Sequence, residues 1–199
     1  GTFCYNPQAV FPMYFVVRVN KKPSAFGMWK KQPDLHNAQA QWDAYQGKYK
    51  LYPGYGRDMA GNDIGYYMTY DLAKGEQVEV QVGVSFVSIE GARANLNAEQ
   101  QGFNFDMTVA DTRAEWANTL NRISVEGGTD DQRRVLYTAL YHSQIHPTVL
   151  QDVDGKYPKM ESNENGHTNS NRYTIYSLWD TYRNLSQLET LLYPDKQVD

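Results

Sequence analysis

The residues best suited to chemistry in this sequence lie in the run Ser177–Arg183. An indole (Trp179), a carboxylate (Asp180) and a guanidinium (Arg183) fall within two turns of one predicted helix. An indole can stack on the C–H face of a pyranose ring, a carboxylate can accept hydrogen bonds from sugar hydroxyls, and a guanidinium can donate them. The run therefore suggests a sugar-binding site. A purely structural explanation also exists, because Ser177 and Asp180 have capping-box spacing and Trp179 could belong to the core.

Two histidines offer a weaker signal for a metal. His142 and His146 are four residues apart near the predicted end of a helix, which is the spacing of two zinc ligands on one helical face. The metalloprotease motif needs Glu after the first histidine, but Ser143 stands there. Histidines near a helix C-terminus also interact favourably with its dipole and free carbonyls. We therefore assign no metal ligand in this chain.

The polar stretch that follows carries further charged residues without a clear site. Asp152–Gly155 has half of a calcium loop but lacks a third ligand before the glycine and a correctly placed Glu after it, so we predict a turn. Nothing in the spacing of Glu161, Glu164 and His167 brings two carboxylates together for glycoside chemistry, and we expect a solvated loop. The glycosylation sequon at 184–186 falls within a predicted helix and is discounted.

Composition excludes several classes of protein. The chain has 199 residues, a formal charge of -4 and no basic stripe, which argues against nucleic-acid binding. No apolar run approaches the ~20 residues of a membrane helix. A single cysteine, Cys4, excludes a disulfide scaffold. The abundant tyrosine (16 residues) suits both strands and hydroxyl-rich binding surfaces.

The elements that must position these residues fall into two regimes. Up to about Phe105 the chain is predicted to be strand and turn, with strands over 13–19, 25–29, 64–72 and 78–86. In the last of these, valines alternate with polar or small residues, which predicts one buried face and one that is wet or paired. Short antiparallel strands with one covered face favour a β-sandwich.

The rest of the chain is predicted to be mostly helical. The first predicted helix is short, is capped by Ser88, and has Ile89, Ala92 and Leu96 on one side, and the second covers residues 111–123. A third is opened by a Thr129–Gln132 capping box, with Val135, Leu136, Ala139 and Leu140 facing inward. The last begins at Ser177 and stops before Pro194. We place a domain boundary at 126–128. The last two helices cannot close a core by themselves, so we expect the chain to be a piece of a longer protein.

Four segments together resemble family-92 glycoside hydrolases, the calcium-dependent exo-acting α-mannosidases common in gut Bacteroidetes. They are residues 82–96, 136–147, 152–157 and 177–183, and their order and spacing fit over roughly the last 120 residues. The N-terminal part fits more loosely, through residues 14–18.

The resemblance implies an α+β multidomain protein. An antiparallel β-sandwich would occupy residues 1–107, a helical linker 108–127, and the first helices of an (α/α)6 toroid 128–199. By the same resemblance, Trp179 would pack on the terminal mannose, Asp180 would accept its hydroxyls, and Arg183 would orient Asp180. No match to the family's catalytic acid and base motifs occurs, so these residues and most calcium ligands are expected beyond residue 199.

The resulting hypothesis is part of an inverting, calcium-dependent exo-α-mannosidase, with α-1,2-linked mannose as the expected substrate. Its partners would be mannose-containing glycans and its location periplasmic or extracellular, both inferred from the family. This chain alone is expected to be inactive. A non-catalytic carbohydrate-binding or scaffold module is the alternative, because such a module could use Trp179 and Asp180 without any downstream carboxylate.

Overall fold

The computed structural model describes residues 12–31, 49–61, 63–160, 162–174 and 177–198. The predictions about Cys4 and Glu161 lie outside these residues. Two compact units are present, one from the residues up to Arg18 together with those from Val80 onward, and one from Val19 to Glu79. The domain boundaries expected at 107 and 127 stay predictions.

The described residues form seven strands and six helices. The strands are β1 (Tyr14–Val19), β2 (Ala25–Lys31), β3 (Tyr49–Pro53), β4 (Ile64–Thr69), β5 (Val80–Ser85), β6 (Lys156–Pro158) and β7 (Asn165–His167). The helices are α1 (Ile89–Glu99), α2 (Phe105–Leu120), α3 (Asp130–Ser143), α4 (Leu178–Thr181), α5 (Leu185–Leu192) and α6 (Pro194–Val198). The mixed α+β class with antiparallel sheets agrees with the prediction. No helix among the described residues is both long and apolar enough to cross a bilayer.

The unit from Val19 to Glu79 is built on a three-stranded antiparallel sheet in the order β3-β2-β4. Met28 in the central strand is 2% exposed. The neighbouring Trp29 lies across Gly65, where a Cβ would collide with the indole, and meets the Tyr49 ring edge-on at 5.0 Å between centroids. The absent side chain at Gly65 thus gives the large ring a flat place on the sheet.

In the other unit, α1 packs on the sheet formed by β1 and β5. Ala92 and Leu96 form a core cluster with Val16, and Tyr14 and Ile89 pack against it. The Ser88 side chain accepts a hydrogen bond from the Gly91 N–H at 2.9 Å, as expected of an N-cap. The predicted cap and helical face are therefore both confirmed.

The alternation in β5 is present, but the valine face is not the buried one. Val80, Val82 and Val84 are 58%, 56% and 48% exposed, whereas Gly83 and Ser85 are buried. A Cβ on Gly83 would collide with the Ala92 carbonyl and with Leu96. The helix therefore approaches the backbone of β5 so closely that only small residues fit beneath it.

The next two helices begin where their N-cap residues place them, and the apolar spacing in the sequence is a poorer guide to their bounds and buried faces. The Asn104 side chain accepts from the Met107 N–H, and α2 accordingly begins six residues before the predicted start. The predicted Thr129–Gln132 capping box opens α3 and is confirmed. Of the four α3 residues predicted to face inward only Leu140 is buried, and Val135 is 69% exposed.

The helix predicted to begin at Ser177 and stop before Pro194 is divided. A turn over residues 182–184 separates α4 from α5, and Tyr193 ends α5 before α6. Within this break, the Ser186 hydroxyl donates to the Thr181 carbonyl at 3.1 Å and the Gln187 amide donates to the Tyr182 carbonyl at 2.9 Å. Side chains therefore satisfy carbonyls that a continuous helix would pair with backbone N–H groups.

Candidate functional site

The predicted sugar-binding residues lie on or just after α4 and are all exposed. Trp179 is 82% exposed, which does not fit a core role among the described residues. The Ser177 hydroxyl donates to Asp180 Oδ2 at 2.6 Å. Ser177 is the N-cap residue of α4, but its side chain accepts no hydrogen bond from the backbone N–H groups of the first turn. The predicted capping box is therefore replaced by a hydroxyl–carboxylate pair, which holds Asp180 beside Trp179.

Arg183 was expected to orient Asp180, but its hydrogen bond is made to Tyr182 instead. Its Nε donates to the Tyr182 hydroxyl at 3.0 Å, and its guanidinium carbon lies 5.6 Å from the centroid of the Tyr182 ring. Arg183 lies in the turn that follows α4, which ends at Thr181. Ser177 therefore takes the orienting role that the sequence suggested for Arg183.

A buried carboxylate that the sequence analysis assigned only to a turn proves to be a structural centre. Asp152 is 4% exposed and accepts hydrogen bonds from the Ser85 hydroxyl at 2.7 Å and from the Asn95 amide at 2.8 Å. The Asn95 amide oxygen in turn accepts from the Val153 N–H at 2.8 Å. The loop at 152–155 is thus fastened to the end of β5 and to α1.

The direction of each bond in this network is fixed. The Ser85 oxygen already accepts from the N–H groups of Val87 and Ser88, so its one proton is directed to Asp152. A Cβ on Gly91 would collide with the Asp152 carboxylate. Both carboxylate oxygens therefore act as acceptors, and the position of Gly91 is closed to any larger residue. Nothing in the sequence near Asp152 indicates this network. Its other members, Ser85, Gly91 and Asn95, all lie far from Asp152 along the chain, in the run 82–96 that resembles family 92.

The histidine pair is not arranged for a metal. α3 ends at Ser143, so His146 lies beyond the helix and the two rings do not share a helical face. The His142 ring instead lies 5.7 Å from that of Tyr141. Within the described ranges, no three His, Cys, Asp or Glu side chains are grouped so as to hold a metal ion.

The two carboxylates of the partial calcium motif already bind other side chains. Asp152 is occupied by Ser85 and Asn95, and Asp154 accepts from the Lys156 ammonium at 2.7 Å. The Lys156 hydrogen bond holds the pKa of Asp154 below its ordinary value. The carboxylates present here therefore do not fit a calcium site.

A second buried acidic residue escaped the sequence analysis. Glu189 in α5 is fully buried, and its Oε2 accepts from the Gln197 amide at 3.1 Å, while Lys196 Nζ lies 3.9 Å from Oε1. Nearby, burial raises the pKa of Tyr193, whose hydroxyl donates to the Thr119 carbonyl at 2.9 Å. Glu189 is the one charged residue of α5, which otherwise contains four leucines and three uncharged polar residues.

Two of the cavities that described residues line in this unit have the size of a small-molecule site. The larger, of about 760 Å³, is lined partly by aromatic and cationic side chains, including Trp116, Arg122, Tyr173, Tyr193 and Lys196. The smaller, of about 560 Å³, is lined by residues of the segments 151–155 and 167–171. Trp179, Asp180 and Arg183 line neither of them.

Comparison with known proteins places this architecture among glycoside hydrolases. The family model described as the glycosyl hydrolase family 92 catalytic domain matches residues 91–199. A protein of Arthroderma benhamiae named as an uncharacterized secreted glycosidase is 33% identical over 111 residues, which are 54% of this chain and 13% of that protein. The chain belongs to glycosyl hydrolase family 92, which confirms the resemblance seen in its sequence.

Solved structures agree. An inverting mannosidase of family 92 from Bacteroides thetaiotaomicron is similar with a TM-score of 0.76 and 26% identity, over 94% of this chain and 23% of that enzyme. A family-92 α-mannosidase of the same organism has a similar fold, with a TM-score of 0.71 and 24% identity, over 94% of this chain and 24% of its own. That α-mannosidase is also known in complex with mannoimidazole. The chain therefore spans less than a quarter of the proteins it matches.

Proposed function

We propose that the intact protein is an inverting, calcium-dependent exo-α-mannosidase that removes terminal α-1,2-linked mannose from glycans. The observation that carries this proposal is the exposed pair of Trp179 and Asp180 in α4, within a chain of family 92. The relative named as an inverting mannosidase and the mannoimidazole complex support the substrate class and the stereochemistry. The family model describes a catalytic domain, which favours the enzyme over a non-catalytic binding module.

The contacts in α4 suit one end of a pyranose. The Trp179 indole would stack on the C–H face of the terminal mannose. Ser177 occupies Oδ2 of Asp180, and the described residues donate no hydrogen bond to Oδ1, so Oδ1 would accept from a ring hydroxyl. Arg183 uses Nε on Tyr182, and its two terminal nitrogens would donate to a further hydroxyl.

The bond-breaking groups are proposed to lie beyond residue 199. In an inverting reaction a protonated carboxylic acid gives its proton to the leaving oxygen, while a carboxylate on the opposite face activates water. Calcium, when bound, would supply hard Lewis-acid contacts to the mannose hydroxyls. Because Asp152 and Asp154 do not fit calcium, most of the calcium ligands are proposed to lie with the acid and base in the toroid. A periplasmic or extracellular location is proposed from the relative named as secreted.

The test is hydrolysis of α-1,2-mannobiose by the intact protein, followed by NMR with added calcium and then with a chelator. We expect β-mannose to be released first, only with calcium, and we expect the 199-residue chain alone to give no turnover. Initial release of α-mannose would refute inversion. Binding of mannobiose without turnover by the intact protein would favour the module.

A further inference from the structure

The smaller cavity has the chemistry of a site for a neutral, hydroxyl-rich ligand. Its volume of about 560 Å³ falls within the range of small-molecule sites, about 300–1,000 Å³. Except for Val153 and Gly155, every lining residue carries a polar side chain. We call this cavity the hairpin basin, because its walls are the loop 151–155 and the segment 167–171 at the base of the β6–β7 hairpin.

The first wall of the hairpin basin is rigidly supported. Asp152 holds it through Ser85 and Asn95, and Asn95 also binds the Val153 N–H. The Gln151 amide donates to the Ser170 carbonyl at 3.0 Å and joins the two walls directly. These bonds fix the wall before any ligand arrives, which lowers the entropic cost of binding.

The two walls also meet through their backbones. The Thr168 N–H donates to the Gly155 carbonyl at 2.9 Å. Gly155 has φ +80, and a Cβ there would collide with the Thr168 carbonyl. Glycine is therefore required both for the left-handed backbone and for the close approach that shapes the basin.

Three side chains of the basin are available to a ligand. The side chains of His167 and Asn169 are exposed and make no hydrogen bond among the described residues, and His167 interacts electrostatically with Asp154. Asp154 is held by Lys156 and keeps further acceptor lone pairs. An amide, an imidazole and a carboxylate supply both donors and acceptors, as neighbouring sugar hydroxyls require. Since the Lys156 ammonium already binds Asp154, a neutral polyol fits better than a cation.

The hairpin basin lies close to α4 along the chain. Asn171, on its rim, is six residues before Ser177. Even a fully extended chain of that length spans at most about 22 Å between the two Cα atoms. These two Cα atoms are therefore no further apart than a short oligosaccharide can span.

We propose that the hairpin basin binds an internal sugar of the glycan whose terminal mannose is held at Trp179 and Asp180. This inference rests on the proposed function and deepens it, because it assigns the recognition of longer glycans to His167, Asn169 and Asp154. The loop held by Asp152 presents the site, and Asp152 itself does not contact the sugar.

The experiment compares two substrates on the intact protein. One is 4-nitrophenyl α-mannoside, which carries a single sugar, and the other is an α-1,2-linked mannopentaose. The test variant is His167→Ala with Asn169→Ala, and the matched control is Asn163→Ala, an exposed asparagine in the connection between β6 and β7. We expect the double variant to raise KM for the mannopentaose about tenfold, as the loss of two hydrogen-bonding groups would do, with kcat unchanged. The single-sugar substrate and the control should show no change.

Equal KM values for the mannopentaose in the double variant and the control would overturn the inference, as would an equal rise for both substrates. If the unmodified protein cleaves neither substrate, the proposed function fails, and the hairpin basin is then judged by calorimetric titration with the mannopentaose. About tenfold weaker binding by the double variant than by the control would support the basin, and equal binding would overturn it.

Discussion

The Ser85 hydroxyl donates to the carboxylate of Asp152 across 67 residues of chain, at 2.7 Å, with both residues buried. Asn95 donates to the other carboxylate oxygen. This bond joins the strand end that resembles the sandwich domain to a loop that resembles the catalytic domain. It therefore ties together the two parts of the sequence in which the family resemblance was first seen.

Asp152→Asn should destabilise the intact protein by about 1–3 kcal/mol, because the new NH2 group must face either Ser85 or Asn95, and both are donors. Asp154→Asn is the matched control, since Asp154 is exposed and its carboxylate accepts from the Lys156 ammonium at the surface. It should cost at most about 1 kcal/mol. Urea unfolding measures both variants, and equal losses would contradict the proposed direction of the bonds.

Trp179→Ala should lower kcat/KM for mannobiose at least about tenfold, since a stacked aromatic contact to the sugar is lost. Its free energy of unfolding should change by less than about 0.5 kcal/mol, because the side chain is 82% exposed. Leu178→Ala is the control, as Leu178 is 74% exposed and adjacent. A large loss of stability with normal activity per folded molecule would make Trp179 a core residue instead.

Asp180→Asn should reduce kcat/KM about tenfold to 100-fold, because a hydrogen bond from a sugar hydroxyl to a charged acceptor becomes a neutral one. Ser177→Ala should have a smaller effect, since it removes only the donor that orients Oδ2 and leaves the charge. Steady-state kinetics on mannobiose separate the two variants. A Ser177→Ala loss as large as that of Asp180→Asn would mean that orientation, and not charge, controls binding.

Stability should fall at alkaline pH through Tyr193. Burial holds the folded-state pKa of Tyr193 above 10.0, against the opposing effect of Arg122. The folded protein therefore retains a proton that the unfolded chain has lost, so the contribution is complete below about pH 10 and disappears as the pH rises through the folded-state pKa. Tyr193→Phe removes the hydrogen bond to Thr119 and should lower the free energy of unfolding by about 0.5–1.5 kcal/mol at pH 8. Above that pH, the stability of the variant should decline less steeply than that of the unmodified protein. Parallel curves for the two proteins in urea unfolding from pH 8 to 11 would contradict this assignment.

The sequence by itself determined features that depend on neighbours within one or two turns. Ser88 and Thr129 predicted their caps, and the spacing of Ala92 and Leu96 predicted the buried face of α1, because capping and helical periodicity act over three or four residues. The ordered run of four motifs was specific enough to predict family 92, and the family model confirms it.

Tertiary structure decided which side of an element is covered and which charges are buried. The sequence predicted the two-residue alternation of β5, but α1 packs closely on the side that carries Gly83 and Ser85, so this face is the buried one. Asp152 and Glu189 are both buried, and their hydrogen-bond partners lie in other elements of the structure. The spacing of charged residues along the chain does not encode such burial. At the end of α4, the carbonyls of Thr181 and Tyr182 accept from the side chains of Ser186 and Gln187, although the helical period of the sequence continues without interruption.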